Sequence, residues 1–491
     1  MRAESPDKNG TASPLYIRVF SSLASDIVSG KRKTGEKLPS IRNCASDLGI
    51  SKNTVEAAYY ELLAEGYIES RPKSGFFVCA ISSSLKKRWT QTAQHSVPAR
   101  REQTMTATAS QTDCIDLQAD RIDESLFPYT VLRKLYRQTV SGNKAGLFLK
   151  KGESQGEEEF RSAISTYLSW SKGLLCSGDS IIIGAGTEYL LQLAIKIIQK
   201  YGETAAGTPS PANLQFLLEE PGYEKIRSIV ADERCTVTGI PVDKEGIKIN
   251  RLLSADPLPY SINAVYVTPA HQFPLGITMS FSRRKELLSW AKNTGSFIIE
   301  DDYDSDFYYT GRILPALQSM DDNDSVLYMG TFSRSLAPSM RVSYLVLTKK
   351  LLSIYQQYFK HYSCTVSRIE QHVIEQFMTE GHFERHINRT RKVYRQRRDI
   401  MLRSMGKYLP HAGITGEHAG LHFILELPFS GSRTVFEQKA LESGVKIKTL
   451  EHPGTDTILC IIGYAHLTAE EMNKAAQILG ELADANKQGV L

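Results

Sequence analysis

Three short segments of this 491-residue chain carry side chains that could do chemistry together. The run SFIIEDD (296–302) is an apolar strand ending in carboxylates, and Tyr303 follows it directly. Open α/β sheets present ligands at the carboxyl ends of their strands. There a carboxylate such as Asp301 can hold a pyridinium N–H, and a phenol two residues on can bond a ring hydroxyl. A capped, solvated acidic turn accounts for these residues equally well. The second segment, Gly330-Thr331-Phe332-Ser333-Arg334-Ser335 with Arg341 beyond it, sets the hydroxyls of Thr331 and Ser333 and the Arg341 guanidinium at a spacing that can surround a phosphate dianion. In the third, Ala185-Gly186-Thr187 ends one strand and opens a helix, whose unpaired N–H groups suit a phosphate. Alone, that turn is usually structural; with the other two it outlines a phosphate-and-pyridine pocket.

The elements that must hold these residues alternate. Short β-branched strands, SIIIGAG (180–186), AVYVTP (264–269), SFIIEDD, VLYMG (326–330) and VSYLVL (342–347), are separated by stretches of helical spacing. Strands alternating with helices imply an α/β body with a mostly parallel sheet covered on both faces. From about Thr365 the chain is helix-rich and basic (HINRTRKVYRQRRD), and a small C-terminal α+β subdomain starts near His411. This body is expected over 115–488, with no internal repeat.

A smaller domain precedes it, expected over 13–80. Leu15 to Val28 has apolar residues at helical spacing; Ser40 can cap a helix ended by Gly49, and Ser51 a second one, Lys52 to Glu65. GYIESRPKSGFFV then alternates as two strands around the tip Pro72-Lys73-Ser74-Gly75. Helix, helix, helix, hairpin is the order of a winged helix-turn-helix. Its third helix would enter the major groove of double-stranded DNA by its N-terminal end, with Ser51, Lys52, Asn53 and Thr54 toward bases or phosphates. Arg42, Arg71 and Lys73 are placed for phosphates. Between the domains, 81–114 is rich in Ser, Thr, Gln and Ala and reads as a linker.

Composition sets limits. A net charge of +5 is too mild to mark the whole chain as nucleic-acid binding, so that signal must be local. Hydrophobic content of 41% and charged content of 23% are those of a soluble globular protein. No apolar run is long enough to span a bilayer, and MRAESPDKNG has no signal core. Seven scattered cysteines without a CxxC pair point to reduced thiols, no metal site and a cytoplasmic protein.

The run LPSIRNCASDLGISKNTVEAAYYELLAEGYIESRPKSGFFV resembles the GntR-type winged helix, which implies DNA contacts from Arg42, Lys52, Asn53, Thr54 and the wing around Gly75. Lys52 stands where that family more often has arginine; it keeps the charge and loses bidentate reach. TPAHQFPLG (268–276), IIEDDYDSDF and YMGTFSRSLAPSMR resemble fold type I pyridoxal-phosphate (PLP) enzymes of the class I aminotransferase group. Joined, the two halves look like a MocR/GabR-type transcriptional regulator. By that resemblance Asp301 would pair with the pyridine nitrogen, Tyr303 with the ring hydroxyl, and Tyr223 would lie against the ring. Gly186, Thr187, Thr331, Ser333 and Arg341 would hold the phosphate. The resemblance also implies a homodimer through the body, responding to a small-molecule effector that the sequence does not name.

The chain departs from that pattern at the residue that matters most for catalysis. Arg334 stands where the family has the lysine that forms the Schiff base with PLP. A guanidinium stays protonated near neutral pH and cannot be that nucleophile. No arginine follows Arg433 to take a substrate carboxylate, and Lys225 stands where some members have an arginine after the PGY tyrosine. Phe273 replaces an asparagine common in the enzymes, and Ser339 a glycine ahead of Arg341. The expectation is therefore a DNA-binding regulator without enzymatic activity, holding PLP or a related phosphate ligand noncovalently, with Arg334 contributing charge. The alternatives are a PLP-dependent aminotransferase with an accessory DNA-binding domain, and a cofactor-free dimeric regulator.

Overall fold

The structure is a computed structural model that describes residues 15–71, 74–80, 114–141, 145–206, 214–253, 262–309, 315–429, 431–451 and 455–487. The chain divides into two compact units, Met1–Ser110 and Gln111–Leu491.

In the first unit the apolar stripe of α1 (Leu15–Val28) buries Leu23, Ala24 and Ile27. Ser40 accepts a hydrogen bond from the Asn43 N–H to start α2 (Ile41–Leu48), and Gly49, in left-handed backbone, ends it. Ser51 caps α3 (Lys52–Ala64) in the same way; Glu65, read from the sequence as its last residue, is its C-cap. The strands β1 (Ile68–Arg71) and β2 (Gly75–Val78) pair antiparallel, with Ile68 opposite Val78 and Arg71 opposite Gly75. A core of Ile27, Leu38, Val55, Tyr59, Leu62, Tyr67 and Val78 joins helices to hairpin. Tyr59 completes it by donating to the Pro39 carbonyl at 2.9 Å. Lys73, and all of the 81–114 linker except Cys114, lie outside the described residues.

The second unit opens with β3 (Ile115–Asp116). Among the described residues its main sheet has eight strands: β4 (Ile181–Gly184), β5 (Leu214–Glu220), β6 (Thr236–Asp243), β7 (Gly246–Ile247), β8 (Ile262–Val267), β9 (Phe297–Asp302), β10 (Val326–Thr331) and β11 (Ser343–Val346). Their spatial order is β4-β11-β10-β9-β8-β5-β6-β7. From β10 to β6 the pairs are parallel, while β11 runs against both of its neighbours and β7 against β6. Both faces are covered, which is why the strands read as continuous apolar runs. Ile182, Ile299 and Leu327 pack with the helix Thr187–Ala206. Ile183, Tyr328 and Tyr344 pack on the other side with the helices Glu158–Lys172 and Arg368–Thr379.

The small α+β subdomain contains β12 (Gly413–Thr415), β13 (His422–Pro428), β14 (Val445–Lys446), β15 (Lys448–Glu451) and β16 (Thr457–Gly463). Four of these form an antiparallel sheet in the order β12-β13-β16-β15, while β14 pairs parallel with β3. That pairing ties the first strand of the body to its last subdomain. Among the described residues no helix is long and apolar enough to cross a membrane.

Candidate functional site

In the first unit, one groove of about 570 Å³ gathers Arg42 from α2, Lys52 and Asn53 from the first turn of α3, and Gly75 from the wing. Arg42, Lys52 and Asn53 are exposed. The caps explain this convergence, because Ser40 and Ser51 start both helices beside the same hairpin. Thr54 is more constrained than its sequence position suggested, since its hydroxyl lies 2.7 Å from Ser51 Oγ within the cap. Arg71 is likewise engaged within the wing: it pairs with Glu69 at 2.7 Å and covers the Phe77 ring at 4.4 Å. Lys37 lines the groove and was not singled out from the sequence. The signal lay in the basic loop KRKTGEKLPS; a bridge from Lys37 to Phe77 of β2 carries it to the wing.

In the second unit the candidate residues sit at or just beyond the carboxyl ends of β4, β5, β9 and β10. Side chains alternate along β9. Glu300 accepts the backbone N–H groups of Leu317 and Gln318, each at 2.9 Å. Asp302 accepts hydrogen bonds from Ser305 and Tyr328 and pairs with Lys172. Asp301 points the other way. Its Oδ2 accepts from the Tyr266 hydroxyl, its Oδ1 has no partner among the described residues, and the residue is 5% exposed. Burial is the main reason its carboxyl is pushed up to about 7, with the charges of Asp302, Asp304 and Glu188 adding to the rise against the Tyr266 bond.

Tyr223, Phe273 and Tyr303 form an aromatic wall beside Asp301. Tyr223 and Phe273 stack at 3.8 Å with 8° between their planes, and Tyr303 meets Tyr223 edge-on at 5.9 Å. The Tyr303 hydroxyl bonds the His271 carbonyl at 2.9 Å and lies 3.0 Å from His271 Nδ1. His271 in turn lies 2.9 Å from Asp304 Oδ2. Arg334 reaches into this region. Nη1 donates to the Ala119 carbonyl at 2.7 Å, and the guanidinium charge acts on the Tyr223 phenol. Burial raises the Tyr223 phenol, so it stays protonated even though Arg334 pulls the other way. No carboxylate among the described residues pairs with Arg334.

The hydroxyl and glycine positions gather at the edge of the same region. Thr331 Oγ1 donates to Ser333 Oγ at 3.0 Å and accepts from Ser343 Oγ at 2.9 Å. Gly186 has φ +100°, and a Cβ there would lie 2.1 Å from Arg341 Nη2. Thr187 follows as the first residue of its helix. Arg341 itself takes left-handed backbone, φ 52°, which is costly for a residue with a side chain. Ser339 has no such conformation, so the glycine it replaces is not demanded by backbone here. Arg341 also lines a cavity of about 440 Å³ with Tyr136, Ser339, Thr365 and Ser367.

The structure thus brings Tyr223, Asp301, Tyr303 and Arg334 together, and Gly186, Thr187 and Arg341 together, with Thr331 and Ser333 bonded to each other. Tyr266, His271 and Glu188 were missed. Tyr266 is delivered from the neighbouring strand β8, so nothing local marks it. His271 stood inside the quoted run TPAHQFPLG, and Glu188 directly follows Thr187.

Residues 15–78 match the family described as bacterial regulatory proteins, gntR family. The chain is 37% identical over 474 residues to the uncharacterized HTH-type transcriptional regulator YdeL of Bacillus subtilis, covering 95% of this chain and 96% of that protein. It is 26% identical over 477 residues to the probable rhizopine catabolism regulatory protein MocR of Rhizobium meliloti, covering 95% and 93%. Among solved structures it is similar to a Pyrococcus horikoshii kynurenine aminotransferase in complex with PMP, at 21% identity and a TM-score of 0.63, over 84% of this chain and 96% of that one. A DNA reader at one end and an aminotransferase fold for the rest, matched almost end to end by regulators, place this chain in the MocR-type family of transcriptional regulators.

Proposed function

We infer that the aminotransferase-like unit binds PLP or a closely related phosphate ligand noncovalently, and that this ligand is the signal passed to the DNA reader. The observation that carries this reading is the buried Oδ1 of Asp301, which has no partner among the described residues. A buried acceptor without a partner is costly, and a ring N–H⁺ would satisfy it. The cradle at Gly186, which any Cβ would fill, supports the phosphate end. When bound, PLP supplies an aldehyde on an electron-withdrawing ring; here Arg334 offers it no nucleophile. Asp301 would hold the ring nitrogen, Tyr223 would lie on the ring, and Tyr303 would face its hydroxyl. Gly186, Thr187, Thr331, Ser333 and Arg341 would hold the phosphate. The absence of a usable amine at Arg334 argues against the aminotransferase alternative.

The proposed assembly is a cytoplasmic homodimer joined through the larger unit, which would present two readers to two half-sites. Ligand could change DNA affinity only by binding one arrangement of the readers more tightly than another. Titrating the full chain with PLP and pyridoxamine phosphate, with and without an upstream duplex, tests this. Reversible, dialysable binding that alters DNA affinity is expected. No binding of either compound would favour the cofactor-free regulator.

For the reader, we infer that Arg42, Lys52, Asn53, Thr54, Arg71, Lys73 and Gly75 contact the duplex, together with Lys37. Replacing Arg42 or Lys37 by alanine is expected to weaken binding to an upstream duplex and lower the salt slope by about one for each phosphate no longer neutralised. Fluorescence anisotropy over a salt series reads this out; a slope that does not move would remove that residue from the interface.

A further inference from the structure

The charges around the Gly186 turn are already engaged. Glu188, in the first turn of the helix Thr187–Ala206, places Oε2 on the Arg341 guanidinium and Oε1 on the Lys225 ammonium. Burial alone would raise this carboxyl, yet the bonds from Lys225 and Arg341 outweigh it and bring the group down to about 2. It is therefore an anion throughout the range in which such proteins work. A Cβ on Gly186 would lie 2.1 Å from Arg341 Nη2 and 2.8 Å from Glu188 Oε2, so both partners crowd the turn that opens the helix. The place a ligand anion would take against Arg341 is held by the chain's own carboxylate.

We propose that Glu188 is a specificity-determining residue, a resident anion that reserves this end of the pocket for dianionic phosphate monoesters and excludes carboxylates. The charge balance decides between the two classes. Arg341 and Lys225 supply two positive charges and Glu188 one negative. A free monocarboxylate that displaced Glu188 would replace one negative charge by another. It would also compete with a tethered group whose effective concentration is on the order of millimolar or higher. A phosphate dianion instead neutralises both cations, and the N–H groups of the helix start favour its greater charge. Once displaced, Glu188 has somewhere to go: its side chain is already 24% exposed, so no buried charge is stranded. The proposal rests on reading this turn as the phosphate end of the pocket, and it names the ligand class that end selects.

The test uses the full chain in three forms: native, Glu188→Gln and Glu188→Ala. Inorganic phosphate, PLP and acetate are titrated by calorimetry, with melting temperatures confirming that each form is folded. Removing a competitor held by two partly exposed ion pairs is expected to tighten phosphate and PLP roughly tenfold. Acetate, rejected by the native chain, is expected to bind both variants. Equal or weaker phosphate affinity in the variants, while the native chain binds PLP, would overturn the proposal and leave the pocket reading standing. If no form binds phosphate or PLP, both readings are overturned together.

Discussion

Arg334→Lys is expected to turn a reversible pocket into a covalent one. Arginine cannot serve because its positive charge is spread over three nitrogens and does not leave near neutral pH. A lysine amine can lose its proton when desolvated and condense with an aldehyde, forming a C=N bond and releasing water. The surroundings favour this: the guanidinium now bonds the Ala119 carbonyl and acts on the Tyr223 phenol beside Asp301, in a region lined by aromatic rings. Among the described residues no native lysine is placed to do the same. Lys225 is held by Glu188, and Lys172 is bound to Asp302 and Asp306, with Asp302 on the opposite side of β9 from Asp301. After incubation with PLP, the variant is expected to absorb in the visible and keep that absorbance through dialysis. Borohydride should then fix one pyridoxyl group at position 334, read by peptide mass. The native chain should lose all colour on dialysis. A folded variant that still binds DNA but gains no adduct would mean that this pocket does not seat an aldehyde beside residue 334.

Much of this architecture was legible because local physics repeats at each level. In the reader, Ser40, Gly49 and Ser51 are caps whose geometry follows from residue type, and all three perform as such. Strands β4, β8, β9, β10 and β11 were visible as apolar runs because a sheet covered on both faces leaves no polar side. What stayed hidden depends on contacts between distant segments. The β3–β14 pairing joins residues more than three hundred apart, and two-residue strands carry no periodicity. Tyr266 meets Asp301 only because β8 and β9 are neighbours in register, Tyr266 opposite Ile299. Arg71 read as a free cation on the wing, yet the alternation of β1 sets Glu69 on its own side. Glu188 was overlooked for a related reason: an acidic residue at a helix start reads as a dipole partner until Arg341 and Lys225 are seen to converge on it.

Asp301→Asn is expected to abolish most of the affinity for any protonated pyridine ligand while leaving the fold intact. The amide keeps the shape and one acceptor oxygen but carries no charge. Losing a charge-assisted bond of about 1.5–3 kcal/mol corresponds to roughly a 10- to 100-fold weaker ligand, which calorimetry with PLP would read directly. The same substitution should also change how stability depends on pH. In the unfolded chain this carboxyl titrates near 3.8, whereas in the fold, chiefly through burial, it titrates near 7. Between these values the folded protein holds a proton that the unfolded chain has released, so stability falls as pH rises. The favourable contribution is complete below about pH 4 and is lost as pH climbs through about 7. Glu219 and Glu300, also raised to about 7 mainly by burial, give slopes of the same sign. Asp301→Asn removes one of these three groups, so its urea midpoints should decline less steeply with pH than those of the native chain. Saturating ligand should flatten the native slope in the same way, because a ring N–H⁺ at Oδ1 lets Asp301 ionise within the fold. A variant that keeps both the native slope and the native affinity would show that the ring nitrogen lies elsewhere, and the buried Oδ1 would then need another partner.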